Sequence, residues 1–226
     1  MNTAGYAVWL YGSHARGVPD LHSDLDIFVA ADRVVNINEI KQHVPLALND
    51  ASVSHYTWNE ISGMAKYGSL FLQHLKLEAF PLYETPTHKG TLRSLLDDLG
   101  DYRLAYRDIR GFQTVLDDVA ESLESIDEET YELAVLGTVI RHSTILGCWL
   151  LKQPCFGRHE PVSHFVRMRS IDSVVEKEFP DLYLYRLYID GRLKGSSLRK
   201  LSGNQWLKRA RLVVSKVEEM AHERGR

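Results

Sequence analysis

The chain has 226 residues, 44% of them hydrophobic and 25% charged, with a formal net charge of −3. That composition allows a sizeable core and excludes a disordered or low-complexity chain. No segment reaches the roughly 18 uninterrupted apolar residues of a membrane span, and the start lacks a basic region followed by a long apolar run, so a cytoplasmic protein without membrane contact is expected.

The first ninety residues alternate strand-like and helix-like pieces. "AVWLY" (7–11) reads as a buried strand, "DLDIFVA" (24–30) as a second and "SVSHYT" (52–57) as a third. "PLYE" (81–84) reads as a short edge strand, because its proline lacks the N–H that a central strand needs. Between them, residues 38–43 form a short helix. Thr57-Trp58-Asn59-Glu60 has the form of a capping box opening another. Gly68 and Ser69 restart the chain before "LFLQHLKLEAF", where Leu70, Phe71, Leu75 and Ala79 share a helical stripe.

After "ETPTHKG" the pattern changes. From Thr91 apolar residues recur at helical spacing for more than thirty residues, as one long amphipathic helix or two broken near Gly100 or Gly111. Further helices are expected over 128–152, 162–177, 182–189 and 205–222, the last with Ser202 or Asn204 as its cap; the acids at 127–129 are read as favouring a helix N-terminus. The expected architecture is an α/β (α+β) core with a small mixed sheet over 1–88, followed by an all-α bundle over 89–226. Residues 91–132 hold twelve acids against four arginines, whereas 186–226 hold eleven Lys/Arg against four acids. The two stretches can neutralise each other, face another subunit in a homo-oligomer, or meet a nucleic acid. Cys148 and Cys155 fit neither a Cys-x-x-Cys pair nor a zinc spacing and read as reduced thiols.

The chemistry concentrates in "LYGSHARGVPDLHSDLDIFVA" (10–30). Alternation along a strand puts Asp24 and Asp26 on one side, about 7 Å apart at Cα, with Leu25, Ile27 and Val29 opposite. Two carboxylates on one face repel unless a cation sits between them, and hard oxygen donors at this spacing suit Mg²⁺, in one or two ions. Gly12 and Ser13 directly follow the first strand, where a glycine lets the backbone approach an anion and a hydroxyl helps to hold it. Arg16 adds a charge-matched fork, and Gly17 turns the loop again.

This stretch resembles the signature of the DNA polymerase β-like nucleotidyltransferases: an apolar strand, Gly-Ser, a loop, then Asp-x-Asp in the next strand. Ten residues separate Ser13 from Asp24, a spacing similar to that of the minimal nucleotidyltransferase antitoxins and the aminoglycoside adenylyltransferases. "GSHARG" and "SDLDIFV" look most like the antitoxins, and "YGSLFLQHLKLEAFPLYE" resembles the end of their catalytic domain. The resemblance implies that Gly12 and Ser13 hold the triphosphate of an NTP, ATP above all, and that Asp24 and Asp26 bind Mg²⁺; Arg16 and Ser23 are further nucleotide-side candidates. It also implies a third carboxylate on a later strand. Asp50 is the acid nearest "SVSHYT", although the expected position falls closer to Ser52 or Ser54.

Lys76 is a further nucleotide-side candidate with His74 beside it, and His14 lies within the loop. Arg158 and His164 have a spacing similar to that in the helical ribonucleases called HEPN domains. Arg16 and His22 match it too, and Val166 stands where many such domains carry tyrosine, so the signal is weak; the bundle is expected to be HEPN-like or to bind the acceptor. Tyr183, Tyr185 and Tyr188 read as packing surface. The expected activity is metal-dependent transfer of a nucleoside monophosphate to a hydroxyl, first of all on an acceptor protein in a toxin-antitoxin or defence setting. An aminoglycoside-like small molecule, a tRNA end and a non-enzymatic nucleotide- or partner-binding module are the alternatives.

Overall fold

The computed structural model describes residues 5–44, 51–193 and 198–224. The chain divides into two compact units, Met1–Arg103 and Leu104–Arg226.

In the first unit four strands, β1 (Tyr6–Tyr11), β2 (Leu25–Ala31), β3 (Ala51–Thr57) and β4 (Phe80–Glu84), form one mixed sheet in the order β3-β2-β1-β4. β1 pairs antiparallel with both β2 and β4, while β2 and β3 run parallel. Every residue of β1 is buried, as a strand covered on both faces requires. Pro81 lies on the outer strand, and the β1–β4 register shifts between Val8 and Trp9 beside it. The turn of α1 (Gly12–Ala15) follows β1, and α2 (Ile37–His43) lies between β2 and β3.

α2 and the residues flanking it cover one face, packing Val35, Ile40 and Val44 against Val8, Leu10, Ile27 and Val29. The other face carries Trp9, Tyr11 and Phe28 beneath α3 (Trp58–Ala65), α4 (Leu70–Glu78) and α5 (Thr91–Asp97), which contribute Ile61, Leu72, Leu75, Leu92 and Leu96. The capping box forms: the Thr57 hydroxyl accepts from Glu60 N at 3.3 Å, and the Glu60 carboxylate accepts from Thr57 N at 2.7 Å. On α4 the buried stripe is Leu72, Leu75 and Ala79; Leu70 and Phe71, placed on it by spacing, are half-buried. Gly68 has φ 68°, and a Cβ there would lie 2.3 Å from the carbonyl oxygen of Asp101, so only glycine lets the segment after α5 close over α4.

The amphipathic run from Thr91 is broken near Gly100, and Gly111 lies within the helix that follows. That helix, α6 (Ala105–Leu123), opens the second unit and precedes α7 (Thr130–Leu150), α8 (Glu160–Met168), α9 (Ser173–Ile189) and α10 (Gly203–Arg224). α7 is the centre of this bundle, with 14 of its 21 residues buried and α6, α8, α9 and α10 around it. It is apolar and long enough to cross a membrane, yet 72% of its apolar window is buried within the protein, as expected of a core helix. Gly147 admits Phe165 of α8 to its backbone, a contact that leaves no space for a Cβ.

Two sequence expectations are corrected here. The chain is expected to leave helix between 177 and 182, but the break falls at Ser170 (φ 51°) and α9 runs through Pro180, capped by the Asp172 side chain on Val174 N. Glu129 stands at the N-terminus of α7 as expected, but its carboxylate makes no capping hydrogen bond there and accepts instead from Gly203 N, 2.7 Å away, at the start of α10. Ser202 caps α10 in the expected manner, its hydroxyl accepting from Gln205 N at 3.4 Å. The acidic and basic stretches are partly paired, through Arg211 on Asp117 at 2.9 Å.

Candidate active site

β1 delivers Tyr11 and then Gly12, whose φ of 75° turns the chain into the single turn of α1. Arg16 N, Gly17 N and Val18 N donate to the carbonyls of Gly12, His14 and Ser13, which folds the loop back on itself. Asp20 then closes the approach to β2: its carboxylate accepts from His22 N and from the Ser23 hydroxyl, each at 2.9 Å. Ser23 is therefore engaged within this turn.

Asp24 and Asp26 are both half-buried, the one just before β2 and the other its second residue. Antiparallel pairing sets Asp26 opposite Tyr11, and parallel pairing sets it beside Ser52. A Cβ at Gly12 would stand 2.2 Å from Asp26 Oδ2, so the carboxylate lies directly over the glycine. The glycine is thus needed twice, for its dihedral and for the space it leaves.

Around the carboxylates the same sheet face carries a polar network. The Tyr11 hydroxyl lies 3.0 Å from Ser54 Oγ on β3. Burial, together with the charges of Asp26 and Asp24, pushes the Tyr11 phenol up to about 12 against the opposing pull of the Ser54 hydrogen bond. The His74 ring meets Tyr11 edge-on at 5.6 Å. His74 Nε2 lies 2.8 Å from Glu78 Oε2, which also accepts from Arg16 Nη1. Burial opposes ionisation of Glu78, but the hydrogen bonds and charges of His74 and Arg16 outweigh it and hold the carboxyl below its ordinary range. Lys76 is turned away to the carbonyl of Asp97 at 3.1 Å.

The structure thus brings Gly12, Ser13, Arg16, Asp24 and Asp26 to one end of the sheet. Asp50 lies among residues 45–50, outside the described residues. β3 itself, "ASVSHYT", offers no carboxylate, and the residues flanking Asp26 and Phe28 are Ser52 and Ser54. Glu78 is the member that motif reasoning missed. Its one sequence signal was the i,i+4 spacing from His74 on a helix.

Asp26 over Gly12 and Asp24 just before β2 supply hard oxygen donors at one end of the sheet, a set that fits Mg²⁺, which commonly takes one or two carboxylates and fills its remaining positions with water and phosphate. Among the described residues no group of three or more His, Cys, Asp or Glu side chains gathers as a metal site.

In the second unit Arg158 lies over the Tyr183 ring at 5.8 Å, and His164 Nε2 is 2.5 Å from Gln153 Oε1. Cys148 and Cys155 are not joined in a disulfide.

A family model described as a nucleotidyltransferase domain matches residues 2–65, about a quarter of the chain and the part that carries the Gly-Ser turn and both aspartates. The match supports nucleotidyl transfer from an NTP as the general chemistry of the first unit. No curated protein matched the chain.

Proposed function

We propose that the protein transfers a nucleoside monophosphate, AMP in the first instance, from an NTP to a hydroxyl of an acceptor protein. The observation that carries this reading is the Asp26 carboxylate lying over Gly12, with Asp24 two residues before it, within the matched segment. Asp24 and Asp26 would hold Mg²⁺, which when bound supplies positive charge to the attacking and leaving oxygens.

The chain's own residues do the rest by placement. Gly12 and Ser13 offer backbone N–H groups and a hydroxyl to the β- and γ-phosphates. Arg16 offsets charge that develops on the pyrophosphate as it leaves. The acceptor oxygen bonds to the α-phosphorus as the bond to pyrophosphate breaks, and the hydroxyl proton passes to solvent or to the acceptor's own groups. No covalent bond to the protein is needed, so the rate comes from orientation and electrostatics. A protein acceptor is favoured over a drug or an RNA end by the likeness of "GSHARG" and "SDLDIFV" to the minimal antitoxins.

The test is incubation of the full chain with Mg²⁺ and α-labelled ATP in cell lysate, followed by identification of the labelled species. Label on a protein is expected, and Asp24→Ala/Asp26→Ala abolishes it. Label on RNA or on a small cationic molecule alone would move the acceptor. No transfer to any species, with wild type and double variant alike, would leave only a binding module.

A further inference from the structure

Arg16 and Glu78 stand 62 residues apart in the chain, yet their side chains pair, 25% and 14% exposed. The Glu78 oxygen that takes Arg16 also takes His74, itself packed on Tyr11. One carboxylate at the end of α4 therefore ties the loop after Gly12 to the helix covering the sheet. Only Nη1 of Arg16 is engaged by Glu78. A guanidinium has five N–H donors in a rigid fork, so the pairing fixes its orientation while leaving donors for a second anion.

We propose that Glu78 is a positioning residue, which through Arg16 sets how tightly the chain holds the polyphosphate end of its nucleotide; this rests on the reading of Arg16 given above. A long arginine without an anchor must be immobilised when the ligand arrives, and that ordering weakens binding. Anchored by Glu78, it is ordered beforehand. The opposing effect is repulsion between the carboxylate and the phosphates. It is outweighed where the remaining N–H donors of the anchored guanidinium bond the phosphates directly.

The experiment titrates the full chain, with Mg²⁺ present, against a non-hydrolysable ATP analogue, inorganic tripolyphosphate and adenosine. Glu78→Gln is expected to weaken the analogue and tripolyphosphate by about five- to tenfold and to leave adenosine unchanged. Arg16→Gln weakens the same two probes, and the double variant binds no more weakly than Arg16→Gln alone, because Glu78 acts through Arg16. A thermal melt accompanies each variant. Should Glu78→Gln not fold, the cycle is run with Glu78→Asp, which keeps the charge and shortens the reach, and the same non-additivity is expected. Unchanged or tighter binding by Glu78→Gln, or losses that add in the double variant, overturns the proposal while the nucleotide reading stands. Failure of the wild type to bind either phosphate probe removes the nucleotide reading and the proposal with it.

Discussion

Gly12→Ala tests the heart of the site through stability alone. At φ 75° an alanine pays about 1–2 kcal/mol for the left-handed conformation. Its Cβ would also stand 2.2 Å from Asp26 Oδ2 and 3.0 Å from Asp26 Cγ, so the carboxylate must leave its position, at a further cost of about 1–2 kcal/mol. The expected loss is about 2–4 kcal/mol in total. In an Asp26→Ala background the overlap with the carboxylate is gone, leaving the dihedral cost and a close 3.3 Å contact with the Cβ of residue 26, so the two substitutions couple by up to about 1–2 kcal/mol. Amide hydrogen exchange of β1 and β2 peptides, read under conditions where reclosing is fast, reports this local stability without interference from the second unit. Strict additivity of the two substitutions would show that the carboxylate does not sit over the glycine, and the geometry of the site would then be wrong.

Tyr11 gives a pH signature: its folded pKa of about 12 exceeds the ordinary 10.0, so its contribution is complete below pH 10 and is lost as pH rises through about 12. In that window the unfolded phenol ionises first, and stability falls by up to about 1.4 kcal/mol per pH unit; Tyr11→Phe flattens this limb of a denaturation series and costs about 1 kcal/mol at neutral pH. An unchanged alkaline limb in the variant would count against the buried position of the phenol. In the second unit, burial and the neighbouring Cys155 push the Cys148 thiol up to about 12, so iodoacetamide at pH 8 should modify half-buried Cys155 well ahead of Cys148. Equal modification rates by peptide mass spectrometry would refute that ordering.

What the sequence discloses here is local. The strands at 7–11 and 24–30, the Thr57–Glu60 box and the Gly-Ser/Asp-x-Asp pair are legible because each is set by residues within a few positions of one another. Pro180 shows the limit of such rules: it marks a helix end by propensity, yet the core contacts of Phe179 and Leu182 keep α9 continuous, while an ordinary-looking Ser170 takes the positive φ. The pairings Tyr11–Ser54, Gly12–Asp26 and Arg16–Glu78 were beyond reach for a different reason. They depend on strand register and on the path of α4 over the sheet, which no short window encodes. Gly68 is similar, since its need for a missing side chain is set by Asp101, more than thirty residues later.

The position of β1 between β2 and β4 has a consequence for how the chain is made. β1 and β2 emerge from the ribosome early and meet across a short connection, but the other edge of β1 stays open until Phe80–Glu84 has been synthesised. For that interval a strand that is buried along its whole length in the finished fold presents unpaired backbone groups, the kind of edge that recruits stray strands. Nascent chains stalled before residue 80 are thus the ones that most need a chaperone.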